Sequence, residues 1–125
     1  MFSTAVWEHF RNPQHRGRLE EFSGEGWAGS RRLGQFMRIQ VKLVNHRIES
    51  ARFETIGCVA AIAACDCLLQ WATSKSLDEV AEMRPIALEQ ELGGLPPGRR
   101  YCAEMAVHAL GKAIESCDGS LKGDA

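Results

Sequence analysis

The feature that most constrains this chain is a change of hydrophobic period at Gly57-Cys58. Upstream, Met37, Ile39, Val41 and Leu43 alternate with Phe36, Arg38, Gln40 and Lys42, the period of two that a half-buried strand requires. Asn45-His46 supplies turn chemistry, and Ile48, Ala51, Phe53 and Ile56 mark a second strand, so the pattern predicts an antiparallel hairpin. Downstream, residues 59–73 are Ala-rich, carry Ile62, Leu68, Leu69 and Trp71, and contain no Gly or Pro. That is a helix, launched directly from the hairpin.

The flanking segments extend this core. Residues 3–11 place Val6, Trp7 and Phe10 on one side of a short amphipathic helix, which Pro13 stops at Asn12. Residues 14–34 are rich in Gly and Arg and are expected to form an irregular, mobile loop. Ser76-Leu77-Asp78-Glu79 fits a capping box for a helix running to about Met83. Pro85 opens another helix from Ile86 to Leu92, ended by Gly93-Gly94. Residues 100–117 form the closing helix, with Met105, Leu110 and Ile114 among its buried candidates. The fold class is α+β: a small antiparallel sheet with helices packed on one face. A chain of 125 residues is expected to form a single domain, here residues 1–118, with 119–125 as a flexible C-terminal tail.

The bulk numbers exclude several functions. A net charge of −1 provides no basic field for nucleic acid or an acidic membrane surface. No run approaches 18 apolar residues and the N-terminus lacks an apolar signal core, so neither a membrane span nor a signal peptide is expected. Five cysteines, an odd number without a secretion signal, point to reduced thiols and a cytoplasmic protein. Gly24-Glu25-Gly26-Trp27-Ala28-Gly29 matches a dinucleotide-binding fingerprint in letters. It lacks the preceding strand and following helix that give the fingerprint its chemistry, and is expected to be loop. No Ser/His/Asp arrangement or pair of carboxylates marks an enzyme.

The cysteines carry what chemistry remains. Cys58 and Cys102 each fall at a predicted helix N-terminus, where unpaired N–H groups and the helix dipole favour the thiolate that ligates metal or attacks sulfur. Both also fit as small buried hydrophobes. Cys65 lies seven residues from Cys58, about 10 Å along a helix. Two sulfurs on one tetrahedral metal sit roughly 4 Å apart. Cys65 and Cys67 are therefore expected in core or interface packing, and Cys117 has no evident partner. His9, His15, His46 and His108 show no metal-ligand spacing. Arg31-Arg32 and Arg99-Arg100 flank the suspected site, as solvated charges, as stabilisers of thiolates or as contacts for an acidic partner.

Five segments in order resemble the iron–sulfur cluster assembly scaffolds of the IscU and NifU N-terminal domain type, over about residues 2–116. They are Val6-Trp7-Glu8-His9-Phe10-Arg11-Asn12-Pro13 with Gly17 and Leu19, Ala51 to Cys58, Ala61-Ile62-Ala63 at the helix start, Trp71 to Glu79 with Ser74 in place of a glycine, and Leu92 to Cys102. The resemblance implies a protein that builds a [2Fe–2S] cluster with sulfur from a cysteine desulfurase and passes it to acceptor proteins; some relatives hold zinc at the same site. Carried over by position, Cys58 and Cys102 keep two of three ligand cysteines. Leu33 stands for the first cysteine, Gln35 for an aspartate and Tyr101 for a histidine. Leucine offers no donor, a neutral amide is a poor ligand beside thiolates, and tyrosine ligates only as a phenolate. Two thiolates leave a metal open to water, unless a homodimer brings four to one cluster. The segment Leu95-Pro96-Pro97-Gly98-Arg99 is similar to the one that specialised Hsp70-type chaperones recognise in such scaffolds. Three roles stay open: a weakened or dimer-dependent cluster, iron or zinc carrier; a non-cluster-binding interaction or regulatory homologue; and a persulfide carrier through Cys102.

Overall fold

The computed structural model describes residues 1–30, 32, 34–117 and 122–123. The elements in order are α1 (Thr4–Arg11), β1 (Glu21–Phe22), β2 (Gly24–Ser30), β3 (Gln35–Val44), β4 (Arg47–Ile56), α2 (Val59–Ala72), α3 (Leu77–Ala81), α4 (Pro85–Glu91), a 3₁₀ turn (Pro97–Arg99), α5 (Tyr101–Glu115) and β5 (Lys122–Gly123). Strands β2, β3 and β4 form an antiparallel sheet with β3 in the centre, and β1 pairs with β5. Among the described residues no helix is long and apolar enough to cross a membrane.

The hairpin is as the alternation predicts. Ile39 pairs with Phe53 and Val41 with Ala51, and a bulge between Lys42 and Leu43 brings Leu43 opposite Ile48. Asn45 and His46 both adopt positive φ, 53° and 62°, the left-handed pair that a two-residue turn needs to follow the strand twist. Met37, Ile39, Val41, Ala51 and Phe53 are buried on the face that receives the helices. Helix α2 has almost no polar side: Ala60 through Leu69 are all buried, as in a helix enclosed on every flank. Helix α5 crosses β2 and β3, and α1 lies on α2.

Residues 14–34 are not the irregular loop expected. Seven of them form β2, paired with β3 from Gly24↔Val41 to Ser30↔Gln35. The alternation is hidden because the inward positions are Gly24, Gly26 and Ala28, while Trp27 points outward. A Cβ on Gly26 would stand 2.2 Å from Ala113 N and 2.3 Å from Ala109 O; one on Gly24 would stand 2.1 Å from Ala113 O. These glycines let the backbone of α5 lie directly on the strand. The fingerprint letters therefore record helix–sheet packing. Residues 15–17 cover the outer edge of β4: Phe53 N donates to His15 O at 2.9 Å and Gly17 N to Phe53 O at 2.8 Å. Of the tail expected to be flexible, Lys122 and Gly123 pair with Phe22 and Glu21; 118–121 and 124–125 lie outside the described residues.

The short helices follow their caps. Ser76 and Glu79 form the full capping box of α3. Pro85 sits in the first turn of α4, and Gly93 and Gly94 follow it at φ 74° and 95°. Ser74 adopts φ 76°, a left-handed conformation costly for a side chain with a Cβ.

Candidate functional site: two sulfurs at two helix N-termini

Cys58 caps α2. Its backbone is extended (φ −89°, ψ −178°), its carbonyl accepts from Ala61 N and Ile62 N, and its side chain makes no capping hydrogen bond. Gly57 precedes it because a Cβ there would stand 2.9 Å from the Ala61 Cβ. Cys102 is the second residue of α5 and is fully buried, whereas Cys58 is half-buried. The fold brings these residues, 44 apart in sequence, to an Sγ–Sγ distance of 4.0 Å. Two thiolates on one tetrahedral metal at Zn–S bonds of ~2.3 Å stand about 3.8 Å apart, so the pair matches two ligand vertices.

The electrostatics differ from the sequence expectation. A helix N-terminus was expected to favour a thiolate at Cys102. Instead its pKa is pushed up to about 12, first by burial and then by the neighbouring Cys58, with the Tyr101 side chain and then Arg99 opposing. Burial acts in this direction because the sulfur has lost the water that would solvate a thiolate. Tyr101 is also raised, by burial and then by the two cysteines, which moves it away from the phenolate that metal binding would need. Arg100 is engaged elsewhere: its Nε donates to both carboxylate oxygens of Glu89, at 3.1 and 3.2 Å.

Gln35, at the start of β3, donates from Nε2 to the Tyr101 hydroxyl at 3.2 Å. Gln35 and Tyr101 thus meet each other beside Cys58. The space among Gln35, Ile56, Cys58, Tyr101 and Met105 is about 10 Å³, room for roughly one water. Leu33 and Arg31 lie outside the described residues, and Arg32 is exposed. Among the described residues no set of three or more His, Cys, Asp or Glu side chains gathers as a metal site. Cys65 and Cys67 are buried in α2; burial pushes Cys65 far up and Cys67 up to about 12. Cys117 donates to Ala113 O at 3.4 Å.

The loop before α5 is only partly extended. Pro96 is in the polyproline region (φ −56°, ψ 147°), but Pro97 to Arg99 close a 3₁₀ turn with Arg99 N donating to Pro96 O at 2.8 Å. Leu95 packs partly against the core, while Pro97, Gly98 and Arg99 are exposed.

One polar centre was missed from the sequence. Asp66, in the middle of α2, is buried and accepts from His9 Nδ1 at 2.6 Å and His15 N at 2.9 Å. The signal was present: an acid inside an otherwise apolar helix must find donors.

Fold and site together define a small α+β domain that presents a cysteine pair at the junction of its sheet with two helices. Residues 1–122 match the model of the NifU-like N terminal domain, and the chain belongs to that family. It is 37% identical over 114 residues to a protein named iron-sulfur cluster assembly scaffold protein IscU 1 from Archaeoglobus fulgidus, covering 91% of this chain and 74% of that one. It is 35% identical over 117 residues to the iron-sulfur cluster assembly scaffold protein IscU of Escherichia coli K12, covering 90% and 91%. The N-terminal domain of a nitrogen-fixing NifU-like protein from Brucella abortus shares the fold, with a TM-score of 0.73 at 14% identity, covering 91% of this chain and 92% of that one.

Proposed function

We propose that this chain is an iron–sulfur cluster assembly scaffold that carries its cluster, or iron, as cargo on Cys58 and Cys102. The observation that carries this is the 4.0 Å separation of those two sulfurs. Each chain supplies half of a four-thiolate set, so a cluster is held weakly by one chain and more firmly between two. Zinc fits the same two vertices, with its remaining positions left to water or a second chain. The sulfur donor is a cysteine desulfurase, the recipients are acceptor apoproteins, and the protein works in the cytoplasm without enzymatic turnover of its own. The exposed Pro97 to Arg99 segment, with Leu95 and Pro96, is the surface offered to an Hsp70-type chaperone.

Purification under anaerobic conditions, followed by iron, acid-labile sulfide and zinc analysis with gel filtration, tests this. Equimolar iron and sulfide, enriched in the dimer fraction, is the expected result. A chain with neither iron nor sulfide after incubation with a desulfurase, cysteine and ferrous iron contradicts it.

A second role, as an interaction homologue that binds no cluster, is favoured by the Gln35–Tyr101 hydrogen bond. That contact fills the face where further ligands would stand. The same metal analysis separates the two. A persulfide carried on Cys102 would need that buried sulfur to reach a donor, and mass addition of sulfur at Cys102 tests it.

A further inference from the structure

We propose that Cys58 and Cys102 form a reversible dithiol–disulfide couple, a two-electron redox site open to low-molecular-weight disulfides such as oxidised glutathione. The inference stands on the geometry of the pair and does not require that a cluster ever binds.

The sulfurs are already 4.0 Å apart. A disulfide bond is roughly 2.05 Å, so the remaining approach is about 2 Å. Cys58 has the freedom to supply it: its backbone lies outside the helix and its side chain makes no capping bond. Among the described residues no His, Asp or Glu gathers with the two sulfurs to hold them apart on a metal. The other three cysteines are poor competitors. Cys65 and Cys67 are enclosed in α2, and Cys117 is turned toward the Ala113 carbonyl.

The difference in burial assigns the roles. Half-buried Cys58 meets the incoming disulfide, and fully buried Cys102 resolves the mixed species. Cys58 attacks one sulfur of the small disulfide, forming a mixed disulfide and releasing one small thiolate, which takes up the proton lost by Cys58. Cys102 then gives up its proton and attacks the Cys58 sulfur. The second small thiol leaves with that proton. The two protein thiols are oxidised by two electrons, and one small disulfide is reduced to two thiols. Burial slows the second step, because Cys102 must lose its proton away from water.

Oxidation has two consequences. It consumes both sulfurs as metal ligands, so disulfide and metal exclude each other. It also joins the head of α2 to the head of α5, which restrains the unfolded chain and raises the melting temperature.

The test uses the full chain, reduced and then freed of reductant without oxygen. It is exposed to graded ratios of oxidised to reduced glutathione and quenched with an alkylating agent. Intact mass and peptide mapping should show loss of two hydrogens, a Cys58–Cys102 cross-link within one chain, and full reversal by dithiothreitol. Cys102→Ser should instead accumulate a glutathione adduct on Cys58, and Cys117→Ser should behave as the parent. A pair that stays reduced under fully oxidised glutathione overturns the proposal. So does a cross-link that maps to other cysteines or joins two chains. Metal analysis is made on the reduced chain: a chain that takes up no iron while reduced yet forms the disulfide counts against the scaffold role alone, and one that binds iron while reduced but, once freed of it, never pairs its thiols counts against this couple alone.

Discussion

His9 and Asp66 meet at 2.6 Å, joining the end of α1 to the buried middle of α2 across 57 residues of sequence. Asp66 also accepts from the backbone of His15, so one carboxylate fixes both the helix and the segment that then runs along β4. Either His9→Ala or Asp66→Ala should lower unfolding free energy by about 1–3 kcal/mol, because each leaves a buried polar group without its partner. The double variant should lose less than the sum, with a coupling of about 1 kcal/mol or more. Urea denaturation of the four proteins checks this; strict additivity would show that the contact contributes nothing of its own.

Ser74 and Gly26 give opposite predictions for glycine. Ser74 is exposed at φ 76°, so Ser74→Gly should stabilise the protein by about 0.5–1 kcal/mol after the greater freedom of glycine in the unfolded chain is counted. Gly26→Ala should destabilise it by about 3 kcal/mol or prevent folding, since the new methyl collides with the backbone of α5. Thermal melts of both variants decide, and a tolerated Gly26→Ala would mean that α5 does not lie on β2 as described.

Stability should fall in alkali. In the folded chain the thiols of Cys65, Cys67 and Cys102 all titrate above their ordinary value of 9.0, Cys67 and Cys102 at about 12, chiefly because they are buried. Above pH 9 the unfolded chain releases these protons and the folded chain keeps them. The stability they contribute is therefore complete below pH 9 and declines as pH rises toward 12, by at most about 1.4 kcal/mol per pH unit for each thiol. Denaturation at pH 8, 9, 10 and 11 should show the decline, and a Cys65→Ala/Cys67→Ala variant should show a shallower one. An unchanged slope would place the titration elsewhere.

Zinc should be held weakly by a single chain and lost on desalting, since only two sulfurs converge. Leu33→Cys with Gln35→Asp should raise zinc affinity by about tenfold or more, roughly 1.4 kcal/mol, in a competition assay with a chromophoric chelator. No gain would show that the segment around Gly34 does not deliver its side chains to the Cys58–Cys102 pair.

The hairpin, the α2 launch and the α3 capping box were legible because their chemistry is local: period, turn residues and caps lie within a few positions of each other. Strand β2 was not, because its inward residues are Gly24, Gly26 and Ala28, and a strand that buries hydrogens instead of methyls shows no alternation. The proximity of Cys58 and Cys102 followed only from family resemblance, as nothing local links positions 44 apart. For Cys102 the sequence left two readings open, a thiolate at a helix N-terminus and a small buried hydrophobe, and its burial agrees with the second.

The segment between α4 and α5 is fastened at both ends. The Ser3 hydroxyl donates to the Leu92 carbonyl at one end, and Arg100 is clamped to the buried Glu89 at the other. Only Gly93 to Arg99 stand between these anchors, and the next side chains after the second anchor are Tyr101 and Cys102. A protein that grips this short span therefore holds a handle with almost no slack. The placement of the sulfur of Cys102 is thus tied, two residues on, to the Glu89–Arg100 ion pair as well as to the packing of α5.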